Sequence, residues 1–203
     1  MSNPFYLRKW QILVSKTTDN GEGAEVLNIS DSKLDGRIAD GYGALRVTFH
    51  IEKIGYQAIN YADISIYNLT PHTATALIEE GMQVVVNAGY QEGGYGTIFK
   101  GTIFQPIRYK ENVVDEVLTL HSIDGLNLLD NDFVMGSLEA GSKAQDHIEY
   151  AAKNADTQIP IQYITPGFKV AELPRGKVFF GEPRKYFNDA ALDNNAQWFV
   201  EDG

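Results

Sequence analysis

Between Ala62 and Gly101 the chain switches between extended and turning segments in an order that few architectures can hold. Ala62-Asp63-Ile64-Ser65-Ile66-Tyr67 places apolar side chains at every second position, the period of a half-buried strand. Thr70 then offers an N-cap hydroxyl, Pro71 suits the first helical position and Gly81 a left-handed stop, which together predict a short helix over residues 71–80. Val84, Val86, Ala88 and Tyr90 resume the strand period. Gln91-Glu92-Gly93-Gly94-Tyr95-Gly96 supplies the glycines of a hairpin turn, and Thr97-Ile98-Phe99 runs back. This order describes a small β-barrel with one capping helix.

The flanking sequence adds strands to it. In residues 7–15, Trp10, Ile12 and Val14 fall on one face and Lys9, Gln11 and Ser15 on the other. Residues 17–43 are rich in Gly, Asp, Asn and Ser, so a long loop is expected, with a little strand at Val26-Leu27-Asn28-Ile29 and enough length to reach a neighbouring subunit. Leu45, Val47, Phe49 and Ile51 alternate with Arg46, Thr48, His50 and Glu52, predicting a strand with one wet face. A further strand runs from Ile103 to Tyr109, where Pro106 signals an edge or a bulge, and leads over Lys110-Glu111-Asn112 to Val117-Leu118-Thr119-Leu120.

After Asp124 the texture changes. Leu126, Leu128 and Leu129 suggest an apolar turn, and Ser142 with Gln145 has the spacing of a capping box. Ala144, Ile148, Ala151 and Ala152 form a helical stripe, so residues 142–154 are expected to be helical. Residues 159–164 and 177–180 read as strands. Residues 184–195 read as a helix with Phe187, Ala191 and Leu192 near one face. The last segment, Gln197-Trp198-Phe199-Val200-Glu201-Asp202-Gly203, reads as an apolar strand ending in a turn pair with no returning strand, as expected of a fragment or of a unit completed by a partner. The expected fold class is therefore mainly β with α+β: a barrel domain over residues 1–130, then an α+β domain over residues 131–203 that is expected to be incomplete at its C-terminus.

Composition narrows the chemistry. With 27 acidic and 17 basic residues the formal net charge is −10, which repels phosphate and argues against sequence-specific nucleic-acid binding. A negative wall suits a conduit through which DNA slides, but charge alone favours the plainer reading of solubility. No apolar run approaches the roughly 20 residues of a membrane span, so no membrane segment is expected. The absence of cysteine removes disulfides, thiolate metal sites and cysteine nucleophiles together.

No catalytic, cofactor-binding or metal residues emerge. His50, His72, His121 and His147 lack a partner at zinc-ligand spacing. Gly93-Gly94-Tyr95-Gly96 precedes a strand, whereas a phosphate loop opens a helix. Asp130-Asn131-Asp132 begins like a calcium loop, but Val134, Met135 and Gly141 stand where ligands or the required glycine belong. Asp189 and Asp193, one helical turn apart, could pair as acids, and also read as a solvated helix face. Tyr42, Tyr56, Tyr61, Tyr90 and Tyr95 lie beside expected turns, where tyrosine serves protein contacts or simply caps a barrel.

Ala62 to Leu69, the capped helix ending in Gly81-Met82, Val84 to Tyr90, and Ile98-Phe99-Lys100-Gly101-Thr102-Ile103 resemble the N-terminal barrel of bacteriophage tail baseplate hub proteins. The likeness extends to His121-Ser122-Ile123-Asp124-Gly125 and to residues 197–203, and is clearest over residues 45–130. Hub proteins of contractile tails carry two related barrels per chain, so three chains present six barrels and a threefold spike can meet a sixfold tube. The resemblance implies a structural, non-enzymatic virion protein: a homotrimer in the tail baseplate, assembled in the host cytoplasm. Its partners would be the tail tube protein, the spike protein and other baseplate proteins, around a channel for DNA ejection, with no cofactor. Carried onto this sequence, residues 5–125 would be the first barrel and residues 131–203 the start of the intervening domain, with the second barrel expected beyond a truncated end or absent from a shorter relative. Two other readings stand beside this one: a tail-tip cell-wall hydrolase using Asp189 and Asp193, and an unrelated barrel that binds a small ligand.

Overall fold

The computed structural model describes residues 8–17, 23–30, 45–55, 60–90, 93–125, 132–157, 159–165 and 172–202. Its described residues divide into two compact units, one drawn from residues 1–53, 59–124 and 200–203, the other from residues 54–58 and 125–199. The fold is mainly β, as expected.

The first unit is one antiparallel sheet. Its strands are β1 (Arg8–Thr17), β2 (Gly23–Ser30), β3 (Val47–Glu52), β4 (Tyr61–Tyr67), β5 (Gln83–Tyr90), β6 (Tyr95–Lys110) and β7 (Glu116–Ile123), in the order β2-β1-β5-β6-β7-β4-β3. One face of each strand feeds a common core: Ile12 and Val14, Leu27 and Ile29, Ile64 and Ile66, Val84 and Val86, Phe99 and Ile103, Leu118 and Leu120, with Val47 and Ile51 of β3 partly buried against it. Since strands from both halves of the sheet share that core, the sheet is curled. The barrel itself is not closed, because among the described residues no ladder joins β2 to β3.

Where sequence predicted two strands, 97–99 and 103–109, one strand of 16 residues runs through. It pairs with β5 over Tyr95 to Thr102 and with β7 over Thr102 to Lys110, and a bulge between Ile103 and Gln105 lets it turn from one partner to the other. Helix α1 (Pro71–Ala76) is shorter than the expected 71–80. Thr70 caps it as predicted, its hydroxyl accepting from the Thr73 N–H. The helix stops early because Leu77 and Met82 turn into the core, and Gly81 (φ 84°) serves the following turn instead of the helix end.

The second unit pairs β8 (Val134–Leu138) with β9 (Lys177–Gly181) beside α2 (Ala144–Lys153) and α3 (Pro183–Asn194). Phe179 is its centre, with ring contacts to Tyr150 at 4.7 Å, Tyr186 at 4.7 Å and His147 at 5.9 Å. Several expectations are corrected here. Sequence reading missed β8, and residues 159–165 carry no strand: Ile161 and Tyr163 are exposed, so their alternation has no face to cover. The cap of α2 is one residue later than expected. Lys143 N–H donates to Asp146, while Ser142 meets His147 and Gln145 meets Glu149. Leu192 is exposed, since it lies five residues beyond buried Phe187 and so points to another side of α3 than Ala191 does. Leu126, Leu128 and Leu129 lie outside the described residues.

The expected terminal strand is absent as well. Residues 200–202 form a strap held by side chains of the first unit. Asn60 donates to the Val200 carbonyl at 2.8 Å, the Asp124 carboxylate accepts from the Asp202 N–H at 2.7 Å, and Lys53 reaches Glu201 and Asp202 at 3.1 Å. Asp124 is 2% exposed, and its own N–H donates to the Asn60 carbonyl. Burial tends to lower the pKa of Lys53, but the hydrogen bonds to Asp202 and Glu201 outweigh it and raise the value. With Asp202 in the left-handed region (φ 57°), the segment cannot continue as a strand.

Two substitutions test this architecture. Phe99→Ala empties a fully buried ring site and is expected to cost about 3–5 kcal/mol, read as a lower urea midpoint. Asp124→Ala strands the Asp202 N–H and is expected to cost about 1–3 kcal/mol, with faster hydrogen exchange confined to residues 200–202. Unchanged exchange there would show that the strap is held by something else.

Candidate assembly surface

The face of β3, β4, β7 and β6 that points away from the core is ordered by register into rows. His50, Asp63, His121 and Gln105 are successive cross-strand neighbours, and so are Thr48, Ser65, Thr119 and Ile107. Within the first row, His121 Nδ1 lies 2.6 Å from Asp63 Oδ1, while His50 Nε2 turns to Glu52 at 3.1 Å. In the second, the Ser65 and Thr119 hydroxyls meet at 2.9 Å. The hydrogen bond from His50, then that from the Tyr61 hydroxyl, holds the Glu52 carboxyl below its ordinary range; the same carboxylate raises the Tyr61 phenol. Arg46 lies over the Tyr67 ring at 4.2 Å, a cation–π contact at the end of the sheet.

Beyond these rows the β6–β7 turn is tied at many points. Asn112 Oδ1 accepts from the Val114 and Asp115 N–H groups, and Glu111 N–H donates to the Asp115 carbonyl. Asn68, in the left-handed region at φ 56°, donates its amide to Asp115 and exchanges two further bonds with the Glu116 backbone. The amides of Asn68 and then Asn112 keep the Asp115 carboxyl ionised well below the usual range. Arg108 pairs with Glu116 and does the same for that carboxyl. This bracing leaves Val113 and Val114 projecting.

The residues weighed for chemistry are dispersed. Among the described residues no three His, Cys, Asp or Glu side chains are placed to hold a metal. His72 is exposed on α1, and His147 is buried in the second unit with Ser142 Oγ 3.0 Å from Nε2. Asp132 accepts from the Thr157 N–H and hydroxyl; Asp130 and Asn131 lie outside the described residues. The glycine run is a hairpin turn, closed by Tyr90 N–H to the Gly94 carbonyl, and Gly89 lies so close to it that an added Cβ would meet the Gly94 oxygen at 2.1 Å. Asp189 and Asp193 sit on α3, while a shallow depression of about 360 Å3 is lined by Leu138, Asp146, Glu149, Tyr150, Lys153 and Asn154 and includes neither. Tyr61, Tyr90 and Tyr95 are part-exposed to exposed; Tyr42 and Tyr56 are outside the described residues. No described helix is long and apolar enough to cross a membrane.

No family model matches the chain, and no curated protein matches it. Solved structures do. The fold is similar to that of a chain in the Francisella PdpA–VgrG complex. In the lidded form of that complex the TM-score is 0.50 at 10% identity, over 90% of this chain and 24% of the other. In the lidless form the TM-score is 0.50 at 8% identity, over 88% and 30%. The chain thus spans under a third of the length of the PdpA–VgrG chains it matches. A chain of the virion of a native gene transfer agent particle aligns with a TM-score of 0.35 at 12% identity, over 68% of this chain and 55% of that one, too loosely to carry weight.

Neither the rows nor the turn could be found from composition. His50 and His121 were visible as isolated histidines, and only the register made them neighbours of one carboxylate.

His147 supplies a pH test. Burial, then the charge of Lys177, lowers its pKa from the ordinary 6.5. The folded state therefore favours the neutral ring, so its contribution is complete above pH 6.5 and is lost as pH falls through the lower folded value. Tm is expected to fall by a few degrees on acidification from about pH 7.5 to 5, and His147→Gln to remove part of that slope. Identical pH profiles for the two chains would refute this assignment.

Proposed function

We propose that the chain is a structural subunit of a phage tail baseplate hub, part of a ring that joins the tail tube to the central spike and leaves a channel for DNA. The observation that carries the proposal is the curled seven-stranded sheet, built from the residues that resemble hub barrels and similar in fold to a chain of a multi-protein complex. Its outer strands β2 and β3 each have a ladder partner on one side only among the described residues, which suits completion by neighbouring subunits. The outward rows pair Asp63 with His121 and Ser65 with Thr119, and a surface whose polar groups are paired suits protein contact.

In this reading the chain is no enzyme; it works by burying surface against its own copies, the tube and the spike. Each stable junction requires about 1,000 Å2 or more of buried area. The acidic balance, −10, would then line a bore past which a polyanion slides without sticking.

Co-expression with a tail tube protein and a spike protein is the direct test. Negative-stain images are expected to show symmetric rings in which all three copurify. A chain that stays monomeric and copurifies with neither would overturn the reading.

A further inference from the structure

The second unit holds a buried carboxylate that its hydrogen bonds leave half satisfied. Asp132, just ahead of β8, is 4% exposed. Its Oδ1 accepts from the Thr157 N–H at 3.1 Å and from the Thr157 hydroxyl, whereas its Oδ2 is buried with no partner. A buried carboxylate oxygen with neither a donor nor a counter-charge is costly to keep. A second carboxylate stands at the same junction. Asp156, just beyond the end of α2, accepts through Oδ2 from the Phe133 N–H at 3.3 Å. The two bonds are reciprocal: the residue after Asp132 gives its N–H to Asp156, and the residue after Asp156 gives its N–H to Asp132. Each carboxylate is thus set against the backbone that carries the other. Neither joins an ion pair among the described residues, not even with Lys153 at the end of α2.

We propose that this junction binds a hard divalent cation of the calcium class through Asp132 Oδ2 and the Asp156 carboxylate, tying the chain before β8 to the chain after α2. The unpartnered Oδ2 is the observation that carries it, because a cation supplies the counter-charge that the protein does not. The donors are oxygens alone, which suit calcium, magnesium or manganese and disfavour zinc. Thr157 holds Oδ1, so the Asp132 carboxylate is fixed in orientation and offers one oxygen. Asp156 is exposed, so water completes the shell on its side. Calcium fits such an irregular, part-hydrated site better than magnesium, which demands near-octahedral geometry. The site is distinct from the calcium loop weighed in the sequence: it takes only Asp132 from that run and draws its second ligand from beyond α2. It also needs just two protein carboxylates, in keeping with the want of any three-residue metal cluster among the described residues. The inference lies within the second unit and is independent of the hub reading.

Calorimetric titration of the full chain with calcium, and melts in calcium and in EDTA, test this with Asp132→Asn and Asp156→Asn. An asparagine oxygen can still accept from Thr157 or Phe133, so both variants keep the junction's hydrogen bonds. The unmodified chain is expected to bind calcium with a Kd on the order of 0.1–1 mM and to gain Tm from it. Each variant is expected to bind at least about tenfold more weakly, and to differ from the unmodified chain more in calcium than in EDTA. A purely structural carboxylate would give the same difference in both. Asp189→Asn on α3 is expected to leave binding unchanged. Should Asp132→Asn fail to fold, Asp156→Asn decides, since Asp156 is exposed. No response at about 10 mM calcium, well above the expected range, overturns the proposal. A response that both variants retain in full also overturns it, and assigns the binding to the acidic surface at large.

Discussion

The first unit depends on one strand serving two neighbours. β6 is the hinge of the sheet: its first half completes the β2-β1-β5 side and its second half the β7-β4-β3 side. A strand can turn between partners only where its ladder is interrupted, and the bulge after Ile103 is that place. Ile103 is doubly tied there, its N–H donating to the Met82 carbonyl and its carbonyl accepting from the Gly81 N–H. Gly101 is required just before it, because a Cβ would meet the Ile123 carbonyl oxygen at 2.7 Å and the Phe99 ring at the same distance. The helix exit, the bulge and the core ring of Phe99 are thus one construction.

From that construction the two faces acquire different roles. The concave face is mostly hydrocarbon from β2 to β4, with the buried Ser122 hydroxyl among it, and α1 adds Ala74 and Leu77. The convex face pairs several of its polar groups within the sheet, Asp63 with His121, Glu52 with His50 and Tyr61, Ser65 with Thr119. Polar groups paired in this way can meet another protein without being left empty on burial. The braced β6–β7 turn extends that face.

Burial was less legible than periodicity. The alternation at residues 45–52 marked β3 correctly, yet Phe49, on its apolar side, is 37% exposed, because β3 is the outermost strand of the sheet. Alternation reports which side chains share a face and says nothing about whether another layer covers it. The same reason explains residues 159–165 and the terminal segment. Trp198, Phe199 and Val200 have strand composition, but Trp198 gives its indole N–H to Asn188 and the backbone beyond it goes to Asn60 and Asp124. Conversely β8, with Gly136 at its centre, has weak strand character and forms because β9 offers it a ladder.

Local structure was therefore decided by the sequence alone: the Thr70-Pro71 helix start, the glycine hairpin, and the strand periods of β1, β4, β5 and β7. Each of these depends on residues within a few positions of one another, where propensity and sterics act directly. Strand order, the open seam between β2 and β3, the row of His50, Asp63 and His121, the strap on Asp124 and the projection of Val113 and Val114 were decided by tertiary structure. Those features join residues far apart in the chain, and only the register of a completed sheet sets which of them meet.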